Sequence, residues 1–160
     1  WTEGAEGETG FSDCALGLKY QLGPWADWDL GVIGMLSLPT GELGLTSDAV
    51  DPRLVLTCGR ELSDRFSLSG QWAGNWPTVD DSRQFQWSTS LSLGMAIASR
   101  WGTFLEVQAE VPDEGGTAAV LHHGYTCRFG NNFQIDFHGA VGLNRSAPDF
   151  LLGGGAAWRF

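Results

Sequence analysis

From Phe11 onward, apolar and polar residues alternate with a period of two, which predicts extended segments with one greasy and one polar face. In the first, Cys14, Leu16, Leu18 and Tyr20 oppose Asp13, Ala15, Gly17 and Lys19. GPWAD turns the chain, and a second segment sets Trp28, Leu30, Val32, Leu36 and Leu38 against Asp29, Gly31, Ile33 and Ser37, with Ile33 and Met35 breaking the polar face. After an acidic loop over 39–52, Leu54, Leu56, Cys58 and Leu62 alternate with Arg53, Thr57, Gly59 and Glu61. Residues 63–65 form a tight turn. The fourth segment places Phe66, Leu68, Trp72 and Trp76 opposite Ser67, Ser69, Gln71, Ala73 and Asn75.

Beyond the loop 77–84, Phe85, Trp87, Leu91, Leu93, Met95 and Ile97 face away from Gln86, Ser88, Ser90 and Ser92. An SRWG turn leads to Leu105, Val107, Ala109 and Val111 against Phe104, Glu106, Gln108 and Glu110. After PDEGGT, a seventh segment has Ala119, Leu121, Tyr125, Cys127 and Phe129 on the apolar side and His122, Gly124, Thr126 and Arg128 on the polar side. GNN (130–132) is a hairpin turn into Phe133, Ile135, Phe137, Val141 and Leu143, opposed by Gln134, Asp136, His138 and Asn144. The ninth, after RSAPD, carries Phe150, Leu152, Trp158 and Phe160 against Leu151, Gly153, Gly155 and Arg159.

Alternation does not say which face is the inside, so a soluble sandwich or lipocalin-like barrel competes with a membrane barrel. The connections favour the membrane. GPWAD, SDR, SRWG and GNN are short, whereas those that alternate with them are mostly longer and acidic. The apolar-face aromatics fall into two girdles, Phe66, Phe133, Trp158 and Phe160 toward the short turns and Trp76, Phe85, Trp87 and Phe150 toward the loops. The other face, of Ser, Gln, Asn and Gly with scattered charges, suits a hydrated lumen. The expected fold is therefore all-β, a transmembrane antiparallel up-and-down β-barrel with nine strands in this chain. A closed ladder leaves no unpaired backbone in lipid.

Composition narrows the partners. With formal net charge −10 and Lys19 the only lysine, no face can carry the cationic stripe that nucleic acid needs. No run of eighteen apolar residues exists for a spanning helix, and residues 1–10 lack the basic start and apolar run of a signal peptide. The chain reads as one domain over 1–160, with 1–10 an acidic segment on the extracellular side of a bacterial outer membrane. Outer-membrane lipid and lipopolysaccharide are the expected surroundings. The terminal Phe160, with Trp158 two residues earlier, resembles the aromatic signal recognised by the outer-membrane assembly machinery. Cys14, Cys58 and Cys127 read as small hydrophobes on separate strands rather than a disulfide or zinc set.

The candidate chemistry is on the polar face. If GNN pairs Phe129 with Phe133, His122 stands opposite Ala140 and His138 opposite Gly124, making the imidazoles diagonal neighbours, with Glu106 beside His122 and Asp136 near Arg159. Glu106, Glu110, His122, Arg128, Asp136, His138 and Arg159 could thus form a constriction or substrate patch; an ion-pair network that merely satisfies a narrow lumen is the plainer alternative. Catalysis is not expected, because Ser88, Ser90 and Ser92 have no assigned histidine nearby. Nor is a cofactor or a metal: His122 and His123 point to opposite faces, and GGG at 153–155 lacks a phosphate-loop context. Asp48, Asp51, Asp80, Asp81, Asp113 and Glu114 could bind divalent cations, but a solvated loop is the simpler reading.

LGLKYQL (16–22), SLPTG (37–41), DPRLVL (51–56), ELSDRFSLSG (61–70) and above all GLNRSAPDFLLGGGAAWRF (142–160) resemble the outer-membrane transporters grouped as the MetA-pathway of phenol degradation family. The resemblance runs over essentially the whole chain. It implies a barrel of about twelve strands that passes small molecules, aromatic ones among them, and supplies no catalytic residues. About three strands are then expected before residue 1, and topology asks for an odd number, unless residues 10–22 stand apart and eight strands close alone. The expected function is a narrow channel for passive or facilitated diffusion. An anchoring barrel plugged by its own side chains, within an oligomer or larger assembly of partner chains, is the alternative.

Overall fold

The structure, a computed structural model, describes residues 10–113 and 115–159. Expectations for 1–9, Glu114 and Phe160 lie outside the described residues. Nine strands form one sheet: β1 (Cys14–Trp25), β2 (Trp28–Leu38), β3 (Asp51–Glu61), β4 (Phe66–Asn75), β7 (Gln86–Ala96), β8 (Trp101–Pro112), β9 (Ala118–Phe129), β10 (Phe133–Gly142) and β11 (Phe150–Trp158). Two short strands, β5 (Thr78–Val79) and β6 (Ser82–Arg83), make a separate hairpin in the loop between β4 and β7. Each long strand pairs antiparallel with its sequence neighbours in the sheet. β1 and β11 are the two edges, and no ladder joins them among the described residues.

The faces divide as the alternation requires. Trp72 is 54% exposed, Leu93 42% and Phe137 64%, while Ser88 and Ser90 on the opposite face are 8% exposed and Ala73 is 1% exposed. The sheet curls toward its polar side: Glu61, Ser69, Ser92, Phe104, Arg128 and Gln134, from six strands, line one cavity of about 520 Å³. The large apolar side chains are thus on the convex face.

Several boundaries differ from the sequence reading, each for a local reason. β1 begins at Cys14 rather than Phe11, whose ring is outside the ladder and exposed. Residues 14–25 pair with β2 on both sides of one interruption at Leu22, so they belong to the sheet and do not stand apart from it. GPWAD is not all turn: Pro24 and Trp25 continue β1, and the turn is Ala26–Asp27 alone, both at positive φ as a two-residue hairpin requires. A bulge between Gln21 and Gly23 shifts the phase, bringing Trp25 opposite Trp28. β3 starts inside the expected loop, at Asp51. The loop 77–84 contains β5 and β6, closed by Asp80 and Asp81 at positive φ, and Phe85 lies just before β7. Trp101 and Gly102 belong to β8 rather than to a turn, and Leu62, Ile97 and Leu143 fall just past their strands.

Side chains tie the long loops to the sheet. The Asp13 carboxylate accepts the amides of Thr40 (3.1 Å), Gly41 (2.9 Å) and Ser47 (3.1 Å). A bond from the Thr46 hydroxyl, together with these amides, holds the Asp13 carboxyl below its ordinary value of 3.8, against a smaller opposing effect of desolvation. Asp51 accepts the Thr78 hydroxyl at 2.8 Å, and Arg83 donates to the Val50 carbonyl at 2.9 Å, joining the β5–β6 hairpin to the start of β3.

Candidate functional site

Four ionisable side chains meet on the concave face of β8, β9 and β10. The turn after Phe129 pairs Phe129 with Phe133, which sets His122 opposite Ala140 and His138 opposite Gly124, while β8 sets Glu106 opposite His122. This is the register the sequence implied. The imidazoles meet edge to face, ring centres 4.6 Å apart, with His122 Nε2 2.7 Å from His138 Nδ1. His122 Nδ1 lies 3.2 Å from Glu106 Oε2, and His138 Nε2 lies 3.9 Å from Asp136 Oδ1. Glu106, His122, His138 and Asp136 therefore form one continuous strip along the wall, partly exposed throughout.

Protonation in the strip follows from the contacts. A carboxylate oxygen at 3.2 Å requires a proton on His122 Nδ1, so His122 donates to Glu106. With both rings neutral, the proton in the contact between them is on His138 Nδ1, which donates to His122 Nε2. The pair can take up one more on His138 Nε2, which faces Asp136, without moving either ring. A second added proton would place hydrogens on both nitrogens of the 2.7 Å contact and break it.

Glycines fit the strip to the wall. A Cβ at Gly153 would lie 2.5 Å from His138 Cε1, and one at Gly124 would lie 2.6 Å from the Phe104 ring and 2.7 Å from His138 Cβ. At Gly155 it would lie 2.9 Å from Asp136 Oδ2. Each glycine is directly cross-strand from the bulky group it accommodates. The His138 ring and Asp136 carboxylate thus lie flat against β11 instead of reaching across the concavity. The Phe104 ring packs edge to face on His122, centres 5.4 Å apart. Sequence reasoning put Phe104 on the correct face but gave neither it nor the glycines a role. The available signal was a glycine directly opposite each large inner residue, which is visible only once the register is known.

The remaining candidates are dispersed. Glu110 is one turn of the pleat past Gln108, opposite Ser88 and Ala118, near the loop end. Arg128, opposite Gln134, lines the cavity at the short-turn end. Arg159 does not pair with Asp136. Asp136 stands opposite Gly155, and Arg159, four residues further along, lies past the end of β11 and donates to the Asn131 carbonyl at 3.3 Å. At about 3.3 Å per residue, that is roughly 13 Å along the strand.

On the convex face, Phe66, Phe133 and Trp158 stand at the short-turn ends of β4, β10 and β11, joined there by Trp25, Trp28, Trp101 and Phe129. Phe133 contacts Trp158 with ring centres 5.7 Å apart. At the loop end Phe85 meets Trp76 at a tilt and Trp87 edge to face, ring centres 5.3 and 5.0 Å apart, and Phe150 opens β11. His123 points outward, as expected, and bonds the Phe104 carbonyl at 2.8 Å. All three cysteines are free. Among the acidic loop residues, Asp51 and Asp113 are already engaged, Asp113 by the Phe85 amide at 3.1 Å; Asp48, Asp80 and Asp81 rim a cleft beside Asp13. No three potential metal ligands are grouped among the described residues.

The chain matches the MetA-pathway of phenol degradation family over residues 2–160 and belongs to that family. No curated protein matches it.

Proposed function

We propose that this member of the family is the wall of a bacterial outer-membrane β-barrel and provides a passage for small molecules. The observation that carries the reading is the inversion of the two faces: large apolar side chains cover the convex surface, and the concave one holds Ser, Gln, Asn and a charged strip. A soluble barrel of this size would bury the first set and expose the second. Aromatics at both strand ends suit two headgroup layers about 25 Å apart.

A passage is favoured over a plugged anchor by the way the inner groups lie. His138, Asp136 and Phe104 are seated over glycines on the wall instead of reaching across the concavity. Closure with antiparallel pairing throughout needs an odd number of further strands, because β1 and β11 run the same way. About twelve in all gives a lumen between the filled eight-stranded barrel and the wide porin. The reading supplies no catalytic role and no cofactor.

Liposome swelling with purified full-length protein tests the function. Entry of small sugars or aromatic acids, graded by solute size, is expected. Liposomes that stay impermeable, together with partner chains that co-purify in fixed ratio, would instead support the anchoring role.

A further inference from the structure

We propose that the Glu106–His122–His138–Asp136 strip makes the passage prefer small cations, inorganic or organic, and that protons set the strength of the preference. This rests on the channel reading above. Fixed carboxylates in a narrow, partly desolvated passage raise the local concentration of cations and repel anions. Glu106 and Asp136 flank the histidine pair on the same face, so with both imidazoles neutral the strip carries two negative charges. One added proton halves that charge and leaves every contact in place. A second cancels it and breaks the 2.7 Å contact between His122 and His138.

On the strands that flank the strip, β7 to β11, few other charges share its face. From β7 the facing residues are Gln86, Ser88, Ser90 and Ser92, all uncharged. From β8 the other charge is Glu110, which adds to the cation preference toward the loop end. From β9 the only other charge is Arg128, six residues from His122 at the short-turn end, and from β10 the groups are Asp136 and His138 themselves. β11 presents Leu151, Gly153, Gly155 and Ala157, with Arg159 beyond its end. His123 is on the opposite face.

The test is the reversal potential of full-length protein in planar bilayers under a KCl gradient, from pH 8 to pH 5. A K⁺ over Cl⁻ permeability ratio of about fivefold is expected at pH 8, falling toward unity by pH 5. His122→Gln with His138→Gln should hold the ratio constant across that range, and Glu106→Gln with Asp136→Asn should lower it at pH 8. A pH-independent ratio or an anion preference in the unaltered protein overturns the inference while leaving the channel reading intact, and that series decides even where a variant fails to assemble. No current at any pH overturns the channel reading and the inference with it.

Discussion

At the scale of single residues, the consequential choices are where glycine stands and where charge does not. Gly153 exists for the His138 ring: Gly153→Ala puts a methyl 2.5 Å from Cε1, so the ring must leave the wall. Overpacking of this kind costs about 1–3 kcal/mol. Urea unfolding of the reconstituted protein should show a loss in that range, and the displaced ring should lower single-channel conductance. The two faces respond oppositely to charge. Leu91, midway along β7 and exposed on the convex side, faces lipid in this account, so Leu91→Arg should destabilise by about 2–4 kcal/mol. Ser92→Arg, one residue on, should cost much less. Equal losses at the two positions would contradict the assignment of faces.

At the scale of elements, alternation and turn chemistry made most of the sheet legible. Uninterrupted period-two segments define the faces of β4, β7, β8, β9 and β10, and GNN sets the β9–β10 register closely enough to make His122 and His138 diagonal neighbours. What escaped were departures from regular pairing. A bulge at Leu22 leaves the composition of GPWAD turn-like while Pro24 and Trp25 remain in the strand. The β5–β6 hairpin is closed by two aspartates at positive φ, without the glycine that usually marks such a turn. Arg159 shares the polar face of the last segment, but its four-residue offset from Gly155 is far in extended chain and keeps it from Asp136. The 39–50 loop gives a separate test, since Asp13 holds it by accepting three amides. A carboxyl held below its ordinary value stabilises fully above that value, and the contribution is lost as pH falls through the lower, folded one. The loop should stay fastened above about pH 4 and loosen below it. Asp13→Ala should give the acid behaviour at neutral pH, seen as several-fold faster hydrogen exchange at Thr40, Gly41 and Ser47.

At the scale of the whole molecule, one architectural fact organises the rest: a nine-stranded antiparallel sheet that curls with its polar side inward and its greasy side out. Family membership, the belts at the strand ends, the seated histidine strip and the acidic loops acquire a common explanation if lipid covers the convex surface. Spin labels placed singly at Ser90, Leu91, Ser92 and Leu93 of β7 in bilayer-reconstituted protein test that most directly. Labels at 91 and 93 should be relaxed by oxygen dissolved in the acyl chains, and labels at 90 and 92 by a water-soluble nickel complex. The reverse alternation, or nickel access at all four sites, would contradict the account.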